Sequence, residues 1–361
     1  MCLTADLAKS SKPELRHGRN FPKMTANPLQ YPVSVPPAIG ATTVIAPGVA
    51  WVRMPLPFAL DHINLWLIAD GERWAAVDAG YALDVVRDAW RQILSDRELS
   101  RLIVTHFHPD HLGLAAWLQE LTGVSLAMTQ GDYLTAQVVW AQLGGFGVPA
   151  MVAFYRAHGL DEQMLAGLAA RGNAYARGVP AIPATFTTIT DGDELAIGGR
   201  RWQVMIGHGH APEHASLYCE ESHTLISGDM LLPRISTNVS VWAVTPDADP
   251  LGEFLASIER LRFLPHDTLV LPSHGLPFRG VHARVDQLQA HHAARCDELL
   301  AAAGTPRSAA ELVPVLFPRE ISDPHQAMFA MGEAVAHLNY LKKARRLERI
   351  VENGNFRYVR T

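Results

Sequence analysis

Hydrophobic and polar positions along this chain follow two periods. From Thr42 the spacing is that of strands: TTVIA, VAWVRM, INLWLIA and RWAAVDA, the last two joined at Asp70-Gly71, a dipeptide suited to a tight hairpin. Ala82 to Leu94 changes to helical spacing, with Leu83, Val86, Trp90, Ile93 and Leu94 on one face. The apolar run Leu102-Ile103-Val104 reads as a short buried strand, and His111 to Leu121 as a helix stopped by Gly123. Between about Asp132 and Ala181 the pattern predicts charge-poor helices broken at Gly144-Gly145-Phe146-Gly147-Val148-Pro149 and at Gly159. Such a stretch is either an ordinary packed insertion or a cap whose apolar face lines a pocket, and both readings stay open.

Strand spacing returns from Phe186 to His274. It runs through TFTTIT, DELAI, RWQVMI with a Gly198-Gly199 turn, ASLYCE, TLIS and DTLVL, with a helix over Leu251 to Leu261. Val281 to Thr361 is mainly helical and ends in ENGNFRYVR, an Asn-Gly hairpin signal. No repeat with a period of about 20 to 50 residues is visible. The expected fold class is α/β (α+β), with two stacked sheets covered on both faces by helices. The expected divisions are a tail over residues 1–40, a catalytic body over 41–280 with 132–181 as a helical cap insertion, and a C-terminal helical domain over 281–361.

Composition narrows the classes. A chain of 361 residues with 48% hydrophobic content can bury a large core. Lys+Arg 31 against Asp+Glu 36 gives a net charge of -5, so no overall positive field draws in nucleic acid. Cys2, Cys219 and Cys296 form neither a CxxC pair nor an even disulfide set, which fits a reducing, cytoplasmic setting. The first 24 residues lack an apolar signal core and no stretch reaches the length of a membrane span, so a membrane is not an expected partner.

Candidate chemistry concentrates in THFHPDHL, Thr105 to Leu112, directly after the strand Leu102-Ile103-Val104. Three imidazoles and a carboxylate so close cannot all enter an apolar core unpartnered, and a metal ion resolves the conflict. His106 and His108 are two positions apart in an extended segment, so both rings leave one face and can bind one ion. Asp110 and His111 turn toward a second ion. Three further strand ends supply donors. His210, in GHGHAPEH, is the best third ligand of the first ion, with His208 as the alternative. Asp229, in Ser227-Gly228-Asp229, suits a bridge between two cations, and His274, in Pro272-Ser273-His274-Gly275, completes the second ion. His214 reads as a support rather than a ligand, and Asp78 as either a partner for a ligating imidazole or a turn residue. His62, His223, His282, His291 and His292 read as structural, with His62 also a candidate for the pocket mouth.

The motif HxHxDH, then a histidine in a PGHTPGH-like loop, an aspartate in SGD and a histidine in a strand-end SHG, resembles the metallo-β-lactamase superfamily. The resemblance covers about Thr42 to Gly280 and implies that family's four-layer αββα sandwich with a dinuclear site along one edge. It implies His106, His108 and His210 on one ion, Asp110, His111 and His274 on the other, and Asp229 between them. Glu213 and His208 stand where the family often has Gly and Pro. Having both Asp110 and a bridging Asp229 is similar to the glyoxalase II and ribonuclease branches and disfavours an antibiotic-degrading role. The C-terminal segment is similar in composition to the winged-helix extension of the β-lactamase-like protein 2 group.

Two divalent ions, zinc first and iron or manganese as alternatives, acidify a shared water toward neutrality. The expected activity is hydrolysis of a thioester, ester or lactone with an apolar part, Asp110 orienting the water and relaying its proton. The expected partner is a small acyl molecule, and homo-oligomerisation is left open. The runner-up is a phosphodiesterase or endoribonuclease, supported by Lys342, Lys343, Arg345, Arg346 and Arg349 in LKKARRLER as a nucleic-acid contact. A metal-binding redox or sensor protein is a third class, disfavoured because the C-terminal segment has no Gly-rich phosphate loop.

Overall fold

Alternation within the strands decides which faces meet. In Arg200–Gly207, Trp202, Val204 and Ile206 point one way, and in His62–Asp70, Trp66 and Ile68 meet them from another sheet. Trp51, Val77, Ile103, Leu217 and Leu271 complete this apolar layer, all of it buried. Each large side chain taken from water here contributes about 1.5–3 kcal/mol. The computed structural model describes residues 29–361, and within them two sheets are stacked on this layer.

The first sheet follows chain order: Thr42–Ala46, Val49–Pro55, His62–Asp70, Arg73–Val77, Leu99–Ile103, Leu126–Met128 and Thr187–Thr188. The second runs Phe278–Arg279, Leu269–Pro272, Thr224–Gly228, His214–Cys219, Arg200–Gly207 and Glu194–Ile197. Helices Asp84–Ile93 and Ala115–Thr122 cover the outer face of the first sheet, and Pro250–Glu259 with Val281–Ala302 cover that of the second. Helix, sheet, sheet, helix is therefore the observed layering. Arg73–Val77 pairs parallel with Leu99–Ile103, and Thr224–Gly228 parallel with Leu269–Pro272. Parallel neighbours end at the same edge, so the loops after them are brought together there.

Two local expectations change. TFTTIT does not join the second sheet; Thr187 and Thr188 pair with Ala127 and Met128, at the edge of the first. The insertion starts beside Leu126–Met128 and its last helix packs on the same outer layer, so the chain returns to the strand it left. The helix expected over His111 to Leu121 is two helices, Pro109–Leu112 and Ala115–Thr122. Between them Gly113 lies against the carbonyl oxygens of Pro109, Gly178 and Gly80, where any Cβ would collide.

The inserted helices are Gln130–Trp140, Val148–Ala157, Glu162–Ala170 and Ala174–Gly178. Their middle buries Phe154, Tyr155, Leu165 and Leu168 in one core with Leu312, Met331 and Val335 of the C-terminal segment. Helices Val281–Ala302, Ala309–Leu316 and Pro324–Lys343 are followed by a hairpin, Leu347–Glu352 with Asn355–Arg360. Its turn, Asn353-Gly354, has φ of 51° and 80°, as a two-residue hairpin loop requires. Residues 1–28 of the expected tail, including Cys2, lie outside the described residues. From Leu29 the chain lies on the fold, where Gln30 and Arg279 exchange backbone hydrogen bonds. Among the described residues no helix is long and apolar enough to cross a membrane.

Candidate metal centre

The strand Leu99–Ile103 runs into Thr105 and His106, and Pro109 opens the short helix that turns Asp110 and His111 back over the strand end. His106 Nε2 lies 2.8 Å from His108 Nδ1 and 3.2 Å from His210 Nε2. Their outer nitrogens fix which atoms carry protons. His210 Nδ1–H donates to the Asn238 carbonyl at 2.7 Å, so its Nε2 is bare. Thr105 gives its hydroxyl hydrogen to the Asp78 carboxylate and so accepts from His106 Nδ1–H at 3.0 Å, which leaves His106 Nε2 bare too. Three inward nitrogens thus share one proton at most. Protonation does not resolve this, because burial pushes His106 well below its ordinary value and His108 down to about 3. A divalent cation does: nitrogens around a tetrahedral zinc with bonds of about 2.0–2.1 Å stand roughly 3.3 Å apart.

Asp110, His111 and His274 gather beside this group. Asp110 Oδ2 lies 3.4 Å from His274 Nε2 and 3.7 Å from His111 Nε2. Asp229 stands between both sets, with Oδ2 3.3 Å from His210 Nε2 and 3.7 Å from His111 Nε2, and Oδ1 3.5 Å from His274 Nε2. His111 Nε2 and Asp229 Oδ1 are buried without a hydrogen-bond partner, an arrangement that calls for an electrophile. The nitrogen and carboxylate donor set suits zinc, iron or manganese.

Behind the donors lie outer contacts that orient several of them. His111 Nδ1–H donates to Asp78 Oδ2 at 2.7 Å, and Thr105 N–H donates to Asp78 Oδ1 at 2.8 Å. Asp78 also holds a left-handed turn, φ 67°, so both readings of it apply. His214 Nε2 accepts the Asp229 N–H at 3.0 Å and orients that carboxylate. His208 is exposed, bonded to the Pro212 carbonyl at 2.6 Å and directed away from the cluster, so it is not the alternative to His210. Gly209 between them has φ 98° and is pressed on Pro250 and Phe254, a place no other residue fits.

Two supports escaped the sequence reading. Asn64, fully buried, accepts from Trp51 Nε1–H and donates to the Pro272 and Gly275 carbonyls, each at 2.9 Å. The signal for it was an amide inside the apolar strand INLWLI. His62 supports the second group: its carbonyl accepts His274 Nδ1–H at 2.8 Å and its Nε2 accepts the Gly275 N–H at 3.0 Å. Of the other leftover histidines, His223 pairs with Asp267, His282 with the Leu264 carbonyl and His292 with His337, all away from the cluster.

Without a cation the carboxylates attract protons instead. Burial depresses His111, but Asp78, Asp110 and Asp229 outweigh it and hold it well above its ordinary value. His274 is likewise depressed by burial, yet raised to about 10 by Asp229 and Asp110. A raised histidine stabilises the metal-free fold below its unfolded value near 6.5, and this is lost as pH rises through about 10. Near neutral pH an incoming cation must displace those protons, so its affinity should rise with pH. Calorimetry in two buffers of different ionisation enthalpy should read release of about two protons per chain, from His111 and His274. Binding without proton release would remove these two from the donor set.

Two stacked sheets with His and Asp donors at their shared edge define a metal-dependent hydrolase scaffold. The chain belongs to the metallo-beta-lactamase superfamily, whose profile matches residues 59–274. A second profile, for the metallo-beta-lactamase-like C-terminal domain, matches residues 296–361. The chain is similar to the crystal structure of a beta-lactamase domain protein from Burkholderia ambifaria, with 44% identity, a TM-score of 0.85 and coverage of 92% of this chain and 98% of that one. It is 25% identical to the probable metallo-hydrolase YqjP of Bacillus subtilis (strain 168), over 86% of this chain and 97% of that protein. It is 27% identical to a hydroxyacylglutathione hydrolase of Ectopseudomonas mendocina (strain ymp), over 60% of this chain and 63% of that one.

Proposed function

We propose that the chain hydrolyses a thioester, ester or lactone with an apolar part, using two divalent ions. His106, His108 and His210 hold the first ion, Asp110, His111 and His274 the second, and Asp229 bridges them. When bound, such ions supply Lewis acidity and a water acidified toward neutrality.

The observation that carries this reading is the exposure of Asp110. Its side chain is 20% exposed, against 10% for Asp229 and less for His111, His210 and His274, so it opens toward an incoming substrate. Burial raises its carboxyl, but contacts with His111 and His274 outweigh that and hold it down to about 2, so it is ionised and suited to face a cation and orient a water. Aromatic rings gather behind the first three imidazoles, where the Phe107 ring lies 4.5 Å from that of His108. Trp242 packs against Phe107 at 5.6 Å and Phe146 at 5.9 Å, and Tyr175 O–H donates to the Phe107 carbonyl at 2.6 Å. Phe107 is buried while Trp242, Phe146 and Tyr175 are half-buried, and such rings suit an apolar acyl or leaving group. The name of the hydroxyacylglutathione hydrolase relative supports a thioester.

The basic run speaks against nucleic acid. Lys342 and Arg349 pair with Asp247 at 2.6 and 2.9 Å, Lys343 with Asp249 at 3.2 Å, and Arg346 with Asp297 at 3.1 Å. Such exposed pairs add little stability, yet four of the five cations offered for phosphate contact already face a carboxylate, and the three aspartates offset three of their charges. Metal-loaded protein assayed on acyl-CoA and glutathione thioesters, aryl esters, lactones, phosphodiesters and RNA is expected to turn over acyl substrates with little salt dependence. Turnover confined to phosphodiesters or RNA, weakening steeply with salt, would replace this reading with the nuclease one.

A further inference from the structure

The carboxylate of Asp132 lies outside the donor set but bonds to both loops that carry the first three imidazoles. It is fully buried, in the first turn of the helix Gln130–Trp140. Its Oδ1 accepts the Phe107 N–H at 2.9 Å, on the residue between His106 and His108. Its Oδ2 accepts the Glu213 N–H at 2.7 Å, three residues after His210.

These loops need such a joint. His106 and His210 are 104 positions apart, and at the point where they meet their bare nitrogens repel. No proton can join all three, so the loops must be held from behind. The same helix start grips residue 213 twice more: Thr129 Oγ1–H donates to the Glu213 carbonyl at 2.9 Å and Gly131 N–H to Glu213 Oε2 at 2.7 Å. Gly131 suits the place, since a Cβ there would lie 2.7 Å from the Glu213 carboxyl group. Burial of an ionised carboxylate is costly, and two N–H bonds mainly offset that cost. Little net stability follows, whereas placement of two distant peptides does.

We propose that Asp132 is a positioning residue for the first ion, setting the separation of the His106–His108 loop from the His210 loop so that three imidazole nitrogens meet at one point. This rests on the ligand assignment above. In Asp132→Asn an amide N–H₂ must face one of the two peptide N–H groups, donor against donor, and the loops part there. First-ion affinity is expected to fall 10- to 100-fold. The second ion is expected to stay, because Asp132 has no hydrogen bond to Asp110, His111, Asp229 or His274.

The test uses full-length chain loaded with zinc and dialysed against a graded chelator series. Zinc per chain is measured by mass spectrometry, with far-UV circular dichroism and melting temperature in parallel. Wild type should hold two ions and Asp132→Asn one, with an unchanged far-UV spectrum. Two ions with wild-type chelator resistance would overturn the proposal. So would loss of both ions together with a lowered melting temperature, which marks a general structural role. If the Asn variant does not fold, Asp132→Ser, which still accepts one N–H, is read in the same way. A wild-type chain that holds no zinc, iron or manganese would instead overturn the ligand assignment, and this proposal with it.

Discussion

Asp229→Asn is expected to lower the bound metal from two ions per chain to one or none and to abolish most turnover. This carboxylate stands within 3.3 to 3.7 Å of His210, His111 and His274, so it faces candidate donors of both proposed ions. Its position is independently set by the His214 ring on its N–H and by Thr237 Oγ1–H on its carbonyl, so the amide should occupy the same place. What changes is charge. Removing one partner from a buried charged set costs about 3–5 kcal/mol, or roughly 10² to 10⁴ in affinity. A second readout comes from the protons. Asp229 is a principal reason that His274 is raised, so in the metal-free variant His274 should titrate lower and any residual binding release fewer protons. Metal analysis after gel filtration checks the first effect and buffer-dependent calorimetry the second. A variant retaining two ions at wild-type affinity would exclude Asp229 as the bridge.

Asp110→Asn is expected to give a different pattern: both ions retained at saturating metal, kcat reduced by about 10² to 10⁴, and KM nearly unchanged. Asp110 faces His274 and His111 but is the most exposed carboxylate of the site, so it can both touch the second ion and reach the substrate. Asn preserves shape and an acceptor oxygen but cannot take a proton. Loss of kcat with full metal content would support a proton-handling role for this side chain. Full activity with both ions bound would exclude it.

Much of the site was legible because it is local. His106, His108, Asp110 and His111 fall in one loop after an apolar run, and the period-two geometry of an extended chain is enough to pair the first two rings. His210, Asp229 and His274 were legible for a related reason, since each closes an apolar strand. Parallel pairing then brings those strand ends to one edge. The supports were not legible. Asn64 reaches carbonyls 208 and 211 positions away, and His62 holds a ring 212 positions away. Asp132 is hidden for the same reason, since nothing near it in the chain says that its carboxylate will find residues 107 and 213. The basic run Lys342 to Arg349 looked like a contact surface, and only folding brought Asp247, Asp249 and Asp297 against it.

By itself, then, the sequence determined the candidate donor types, their order and the strand and helix periods, because side-chain chemistry and backbone repeat act over a few residues. Tertiary structure alone decided which edge the edge strand Thr187–Thr188 joined, which protons the imidazoles carry and which distant carbonyls and carboxylates hold them. Those outcomes depend on hydrogen bonds between segments 28 to 212 positions apart, and such bonds exist only once the sheets have formed and closed on their shared apolar layer.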